Sequence, residues 1–250
     1  WAGRTDGEGY SLVIRDTGQD TELWDAAAGW RTSWQYGGNP GAADTGANPA
    51  SVVVNEVLAH SNGPEGDWVE LLNLSGAAVD VDGWYLSDSD ADVASLTKYA
   101  ITSATADTVL EGTGPGRFLA LTQTDDFGGA FALSEFGEAV YLIPSVEASE
   151  IFLAGASGDW PAAWVLSGYR EDVDFGATPP DETLGRYVKS TGSKDFVLMS
   201  VPTPGTENAA PAMPDVRINE IMYHPLDEAT GGQEWIELYN PTASDVALWE

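Results

Sequence analysis

Apolar and polar positions alternate along most of this chain with the two-residue period of half-buried strands. In Trp68-Val69-Glu70-Leu71-Leu72-Asn73, Val69 and Leu71 share one face, while Trp68, Glu70 and Leu72 share the other. Trp235-Ile236-Glu237-Leu238-Tyr239-Asn240 keeps the same parity. The pattern predicts further strands at 79–86, 108–110, 117–121, 139–143, 150–153, 173–175, 184–188 and 196–199. Gly- or Pro-containing turns at 112–116, 128–129, 155–158 and 179–180 separate them. Only 21–28 reads as a helix, and a short one. Many short strands with close turn signals predict an all-β fold, an antiparallel β-sandwich.

One strand breaks its own parity. Val52 and Val54 fall on one face, yet Val57 falls on the opposite parity, with Asn55-Glu56 between them. The same jump separates Ile218 from Ile221. A β-bulge at Asn-Glu would bring both apolar pairs to one core.

That likeness belongs to an internal repeat. Val52-Val53-Val54-Asn55-Glu56-Val57-Leu58-Ala59-His60 matches Val216-Arg217-Ile218-Asn219-Glu220-Ile221-Met222-Tyr223-His224 at a separation of 164 residues. Trp68 to Asn73 matches Trp235 to Asn240 at 167, so the second copy carries three more loop residues. Asn39-Pro40-Gly41-Ala42-Ala43-Asp44 parallels Thr203-Pro204-Gly205-Thr206-Glu207-Asn208, again at 164. Three matches in one order divide the chain into five parts. The expected parts are the C-terminal part of a first unit (1–44), a linker (45–50), a complete unit (51–208), a linker (209–214) and the N-terminal part of a third unit (215–250). Trp1 in place of Met, and a strand-like pattern at 246–250, lead to the expectation of a chain that continues past both ends.

Composition narrows the chemistry. A net charge of −30, with 10 basic against 40 acidic residues, repels phosphate backbones and anionic lipid. Nucleic acid is therefore not an expected partner, and no apolar run is long enough to insert in a membrane. The 26 aromatic residues and 43% hydrophobic content give the chain enough to bury a core. Zero cysteines remove disulfides, thiolate metal sites and thiol nucleophiles together. There is no Gly-x-Ser-x-Gly elbow, no His-Glu-x-x-His and no phosphate-cradling glycine loop followed by Lys.

The ordered motifs carry a family likeness. Val54-Asn55-Glu56-Val57, Asp67-Trp68-Val69-Glu70-Leu71-Leu72-Asn73, Val81-Asp82-Gly83-Trp84-Tyr85-Leu86, Thr183-Leu184-Gly185-Arg186-Tyr187 and the closing Pro204-Gly205 stretch resemble the lamin tail domain in its bacterial secreted form. The likeness covers essentially the whole chain. It implies immunoglobulin-like β-sandwiches in tandem, acting as accessory modules of large exported or cell-surface proteins. It brings no catalytic residues. By the same likeness, Asn55, Glu56, Trp68, Glu70, Asn73, Gly83 and Trp84, with Asn219, Glu220, Trp235, Glu237 and Asn240, read as fold determinants.

Several residues remain as candidates for chemistry. Asp88, Asp90 and Asp92 place hard oxygen ligands at alternate positions, as calcium requires, although Val93 and Tyr99 stand where an EF-hand needs Gly and Glu. Calcium is the one cofactor this pattern admits. Trp160 and Trp164, flanking Pro161 in an irregular stretch, could stack on sugar rings. His60 and His224 lie near Glu56 and Glu220 without a second His, which favours hydrogen bonding at a strand end over metal ligation. Glu56 with Glu70 offers a carboxylate pair for acid–base work, but a pair repeated in every unit favours structure. The leading expectation is a non-catalytic structural or adhesion module, extracellular or on the cell surface. Its expected partners are other domains of the same polypeptide, or surface glycans and proteins. A calcium-dependent carbohydrate-binding module is the alternative. An accessory domain of a secreted hydrolase or kinase-like protein follows that.

Overall fold

The structure is a computed structural model and describes residues 5–7, 9–18, 20–44, 51–104, 106–147, 164–212, 216–226, 232–246 and 248. The chain divides into two compact units, Trp1–Ala210 and Pro211–Glu250.

In the first unit the strands are β1 (Leu12–Ile14), β2 (Trp30–Thr32), β3 (Val52–Leu58), β4 (Trp68–Asn73), β5 (Val79–Asp80), β6 (Tyr85–Ser87), β7 (Tyr99–Ala100), β8 (Val109–Leu110), β9 (Phe118–Thr122), β10 (Gly137–Ile143), β11 (Ser145–Glu147), β12 (Trp164–Leu166), β13 (Glu171–Gly176), β14 (Leu184–Val188) and β15 (Lys194–Leu198). A five-stranded sheet runs β15-β14-β3-β4-β9 and a four-stranded sheet runs β13-β10-β6-β7. Every pairing in both is antiparallel. Val54, Val57, Val69 and Leu71 from the first sheet meet Leu86, Val140, Leu142 and Phe175 from the second in one buried cluster. This is an all-β sandwich.

β3 and β4 are buried along their whole length, because both of their faces are covered. The register between them shifts between Val54 and Glu56, which leaves Asn55 as the extra residue of a bulge. The bulge turns Val57 to the side of Val52 and Val54, and all three lie in the core cluster. On the outward side, Trp68, Glu70 and Leu72 are buried as well, and Gly205 of the segment that closes the unit bonds to Glu70.

The single strand expected at 79–86 is two, β5 and β6, because Gly83 turns the chain with φ +77°. Trp84 then packs in the core. The helix expected at 21–28 is a pair of 3₁₀ turns, Thr21–Asp25 and Ala27–Gly29. The first is capped by Asp20, whose carboxylate accepts from the Glu22 N–H. The strand expected at 150–153 lies outside the described residues, and β1, β2, β7, β11 and β12 were not anticipated by the pattern. Segment 5–44 is joined to the sandwich: the Tyr10 hydroxyl donates to the Leu166 carbonyl (3.0 Å) and the Gly168 N–H to the Trp34 carbonyl (2.9 Å).

The second unit contains β16 (Arg217–Met222) and β17 (Trp235–Tyr239), paired antiparallel. Their register also shifts once, between Ile218 and Glu220. In both hairpins the shift sets one glutamate opposite the other: Glu56 faces Glu70 and Glu220 faces Glu237.

Candidate functional site

The bulge at Asn55 places three polar side chains in the buried centre of the five-stranded sheet. Asn55, Glu56 and Glu70 are 3%, 0% and 0% exposed. Burial on this scale costs several kcal/mol per unpaired charge, so partners are obligatory. They come from the closing segment and from the start of β14. Glu56 accepts from the Thr183 hydroxyl (2.5 Å), from the Thr203 N–H (3.2 Å) and from the Thr203 hydroxyl (2.9 Å). Glu70 accepts from the Gly205 N–H (2.5 Å) and from the Asn55 side-chain amide (2.8 Å). Asn55 also donates to Asn208 Oδ1 (2.7 Å), while Asn208 Nδ2 returns a bond to the Asn55 carbonyl and gives another to the Arg186 carbonyl, each 3.2 Å. Gly205 holds φ +79°, which only glycine adopts without strain and which its place in this tight loop uses.

Burial raises the Glu70 carboxyl to about 7; the Gly205 N–H and the Asn55 amide work in the opposite direction, and the charges of Glu56 and Glu207 add to the rise. A carboxyl displaced this far is what acid–base catalysis uses. Here, however, both carboxyl groups are buried, and their bonds run to Thr183, Thr203 and Gly205 and to Asn55 of the β3 bulge. The arrangement pins residues 203–208 onto β3 and β4.

Part of the same network recurs in the second unit. The Asn219 side-chain amide donates to Glu237. Asn240 Nδ2 donates to the Ser244 carbonyl (2.8 Å) and Asn240 Oδ1 accepts from the Thr242 N–H (2.8 Å). Asn73 makes the matching turn, donating to the Ala77 carbonyl (2.7 Å) and accepting from the Ser75 N–H (2.9 Å). The environments differ. Trp68 is buried and Trp235 exposed, and Glu220 and Glu237 are exposed where Glu56 and Glu70 are not.

The other sequence candidates are placed as follows. Asp88 pairs with Lys98, Asp90 with Arg170 at 3.3 Å, and Asp92 caps the one-turn helix α1 (Val93–Leu96) by accepting from the Ser95 N–H at 2.7 Å. That capping bond lowers the Asp92 carboxyl below its usual range. Each acid thus faces a partner of its own, and among the described residues no group of three or more His, Cys, Asp or Glu is arranged to hold a metal ion. Trp160 lies outside the described residues, as does the surrounding stretch to 163; Trp164 begins β12 opposite Glu147.

His60 sits at the end of β3, where Nδ1 meets the Thr178 carbonyl at 3.2 Å and Nε2 meets Glu135 at 3.1 Å. It borders an open cleft of about 370 Å³ with Asp67, Gln123 and the exposed Phe136. Burial raises the Asp67 carboxyl above its usual value, against the Ser61 N–H that it accepts. Glu135 carries no repeat signal and sequence reasoning passed over it. Thr183, Thr203 and Asn208 were also passed over as ligands of the buried carboxylates, although the recurrence of Pro-Gly with Asp44 or Asn208 three residues later marked the segment.

Among the described residues no helix is long and apolar enough to cross a membrane. Comparison with family models, curated proteins and solved structures finds no match.

Proposed function

We propose that the chain is a non-catalytic structural and adhesion module, built of lamin-tail-like immunoglobulin sandwiches in tandem, of a large exported or cell-surface protein. The observation that carries this reading is the buried carboxylate pair. Glu56 and Glu70 are the strongest acid–base candidates in the sequence; both are fully buried, and their oxygens accept from Thr183, Thr203, Gly205 and Asn55. Carboxylates that are desolvated and bonded to the loop they fold are held for a structural role. The matching register, bulge and Asn turns of β16–β17 support a unit that is repeated, as spacer and adhesion domains are. The acidic surface directs such a module to other domains of its own polypeptide or to surface proteins, and away from nucleic acid.

The test is a polysaccharide panel and a glycan array, both probed with the full chain. The module reading expects neither hydrolysis nor retained glycan. Hydrolysis abolished by Glu70→Gln would establish an enzyme instead. Glycan binding lost on Trp160→Ala or Trp164→Ala would establish a carbohydrate-binding module.

A further inference from the structure

The cleft at the end of β3 shares no residue with the Glu56–Glu70 network. It measures about 370 Å³ and is lined by His60, Asp67, Gln123, Leu133, Glu135 and Phe136 among others. The main chain fixes its walls. Gln123 N–H donates to the Asp67 carbonyl (2.7 Å), and Thr178 N–H donates to the Glu135 carbonyl (3.1 Å). A cleft held in this way receives a ligand at little cost in loop ordering.

Asp67 is 9% exposed, yet it stands in the wall of this open cleft. Its Oδ1 accepts from the Ser61 N–H (2.9 Å), while among the described residues nothing donates to Oδ2. A carboxylate oxygen withdrawn from bulk water without a donor is costly. The cleft is the opening through which a donor can reach it. Burial is the main reason that the Asp67 carboxyl lies above its usual range, and a cation alongside would favour the ionised form.

The rest of the wall suits a cation on an apolar stem. Glu135 meets His60 Nε2 with Oε2 at 3.1 Å, and among the described residues nothing donates to its Oε1. Gln123 Oε1 accepts from the Asp67 N–H at 3.3 Å and has a second lone pair. Leu133, 8% exposed, adds apolar surface, and Phe136, 80% exposed, adds an aromatic ring. Among the described residues the acids are not grouped as a metal ion requires, so the matching cation is one that brings its own donors. Single acceptors on three separate side chains suit the three N–H donors of an ammonium. A guanidinium fork prefers both oxygens of one carboxylate. The net charge of −30 draws basic partners toward the molecule.

We propose that this cleft receives a lysine side chain presented by a basic partner protein, with the ammonium bonded to Asp67, Glu135 and Gln123 and the stem lying on Leu133 beside the Phe136 ring. The proposal rests on the module reading above and deepens it by giving the chemistry of the partner. The flexible stem of lysine carries its charge to the end of an apolar arm, as a buried acceptor beside Leu133 requires. The Phe136 ring adds a face to which a cation is attracted.

Chemical-shift titration of the isotope-labelled full chain with N-acetyl-lysine methylamide, in about 0.15 M salt, tests this. Saturable shifts are expected at the Asp67 amide, the Gln123 side-chain amide and the Phe136 ring. The norleucine analogue, which keeps the stem and lacks the charge, is expected to shift none of them. Asp67→Asn keeps the acceptor for Ser61 and is expected to weaken binding about tenfold or more. Glu135→Gln provides a second variant should Asp67→Asn disturb folding, with a loss in the same direction. Phe136→Ala is expected to weaken binding about two- to fivefold. Glu65→Gln removes an exposed charge outside the cleft and is expected to bind as wild type does. Absence of saturable shifts, equal shifts from norleucine, or a loss in Glu65→Gln as large as in Asp67→Asn would each overturn the proposal. Tighter binding of the arginine analogue or of n-butylamine would overturn the assignment to a protein lysine. The glycan and hydrolysis assays are read separately, so failure of this site and failure of the module reading are distinguishable.

Discussion

At Glu70 the sandwich holds an acid whose proton is bound more tightly in the folded chain than in the unfolded one. Its carboxyl lies at about 7 in the fold against an ordinary 4.5, chiefly because burial penalises the charge. The sign follows directly: the stabilisation is fully present below about pH 4.5 and is lost as pH rises through about 7. A displacement of this size corresponds to about 3 kcal/mol across the window. The melting temperature is therefore expected to fall between pH 5 and pH 8, and Glu70→Gln, which cannot ionise, is expected to lose that part of the fall. A variant whose melting temperature tracks wild type across this window would refute the assignment. Asn55 is the second residue with a sharp expectation. It donates to both Glu70 and Asn208, so Asn55→Ala leaves buried acceptors unmet and is expected to cost about 1–3 kcal/mol in urea unfolding.

Among the elements, the joint between segment 5–44 and the sandwich has a tight point at Gly168. A side chain at Gly168 would come within 2.1 Å of the Ser33 carbonyl, which is backbone and cannot rotate aside. Gly168→Ala is expected to break the Gly168–Trp34 bond and free the hairpin, read as faster tryptic cleavage after Arg15 and Arg31. Unchanged cleavage would show that the joint does not depend on this approach. How legible each element was depended on how local its cause is. The bulge at Asn55 could be read because it displaces the parity of Val54 and Val57 within a single strand. β14 could be read from its own alternation. The division of 79–86 could not be read from periodicity, because it hinges on Gly83 adopting a positive φ inside an otherwise regular apolar pattern. The polar partners of Glu56 were hidden for a different reason: Thr183 and Thr203 reach it from 127 and 147 residues away. Sequence pattern marks such residues only when a repeat exposes them, as it did for Gly205.

Across the whole molecule, 40 acids share 10 basic side chains, and self-repulsion destabilises the compact state. Monovalent salt is expected to raise the melting temperature. Asp88, Asp90 and Asp92 are already bonded to Lys98, Arg170 and the Ser95 N–H, so calcium at matched ionic strength is expected to add nothing further and chelator to remove nothing. A calcium-specific rise reversed by chelator would contradict this. The larger claim is that the carboxylate pair closes the sandwich as a structural pin and does no chemistry. Native-state hydrogen exchange at the Gly205 and Thr203 amides tests it most directly, because these are the loop donors to Glu70 and Glu56. The account predicts that both amides exchange only through global unfolding, with the same free energy as the core of β3 and β4. Exchange at the rate of an exposed loop would contradict it.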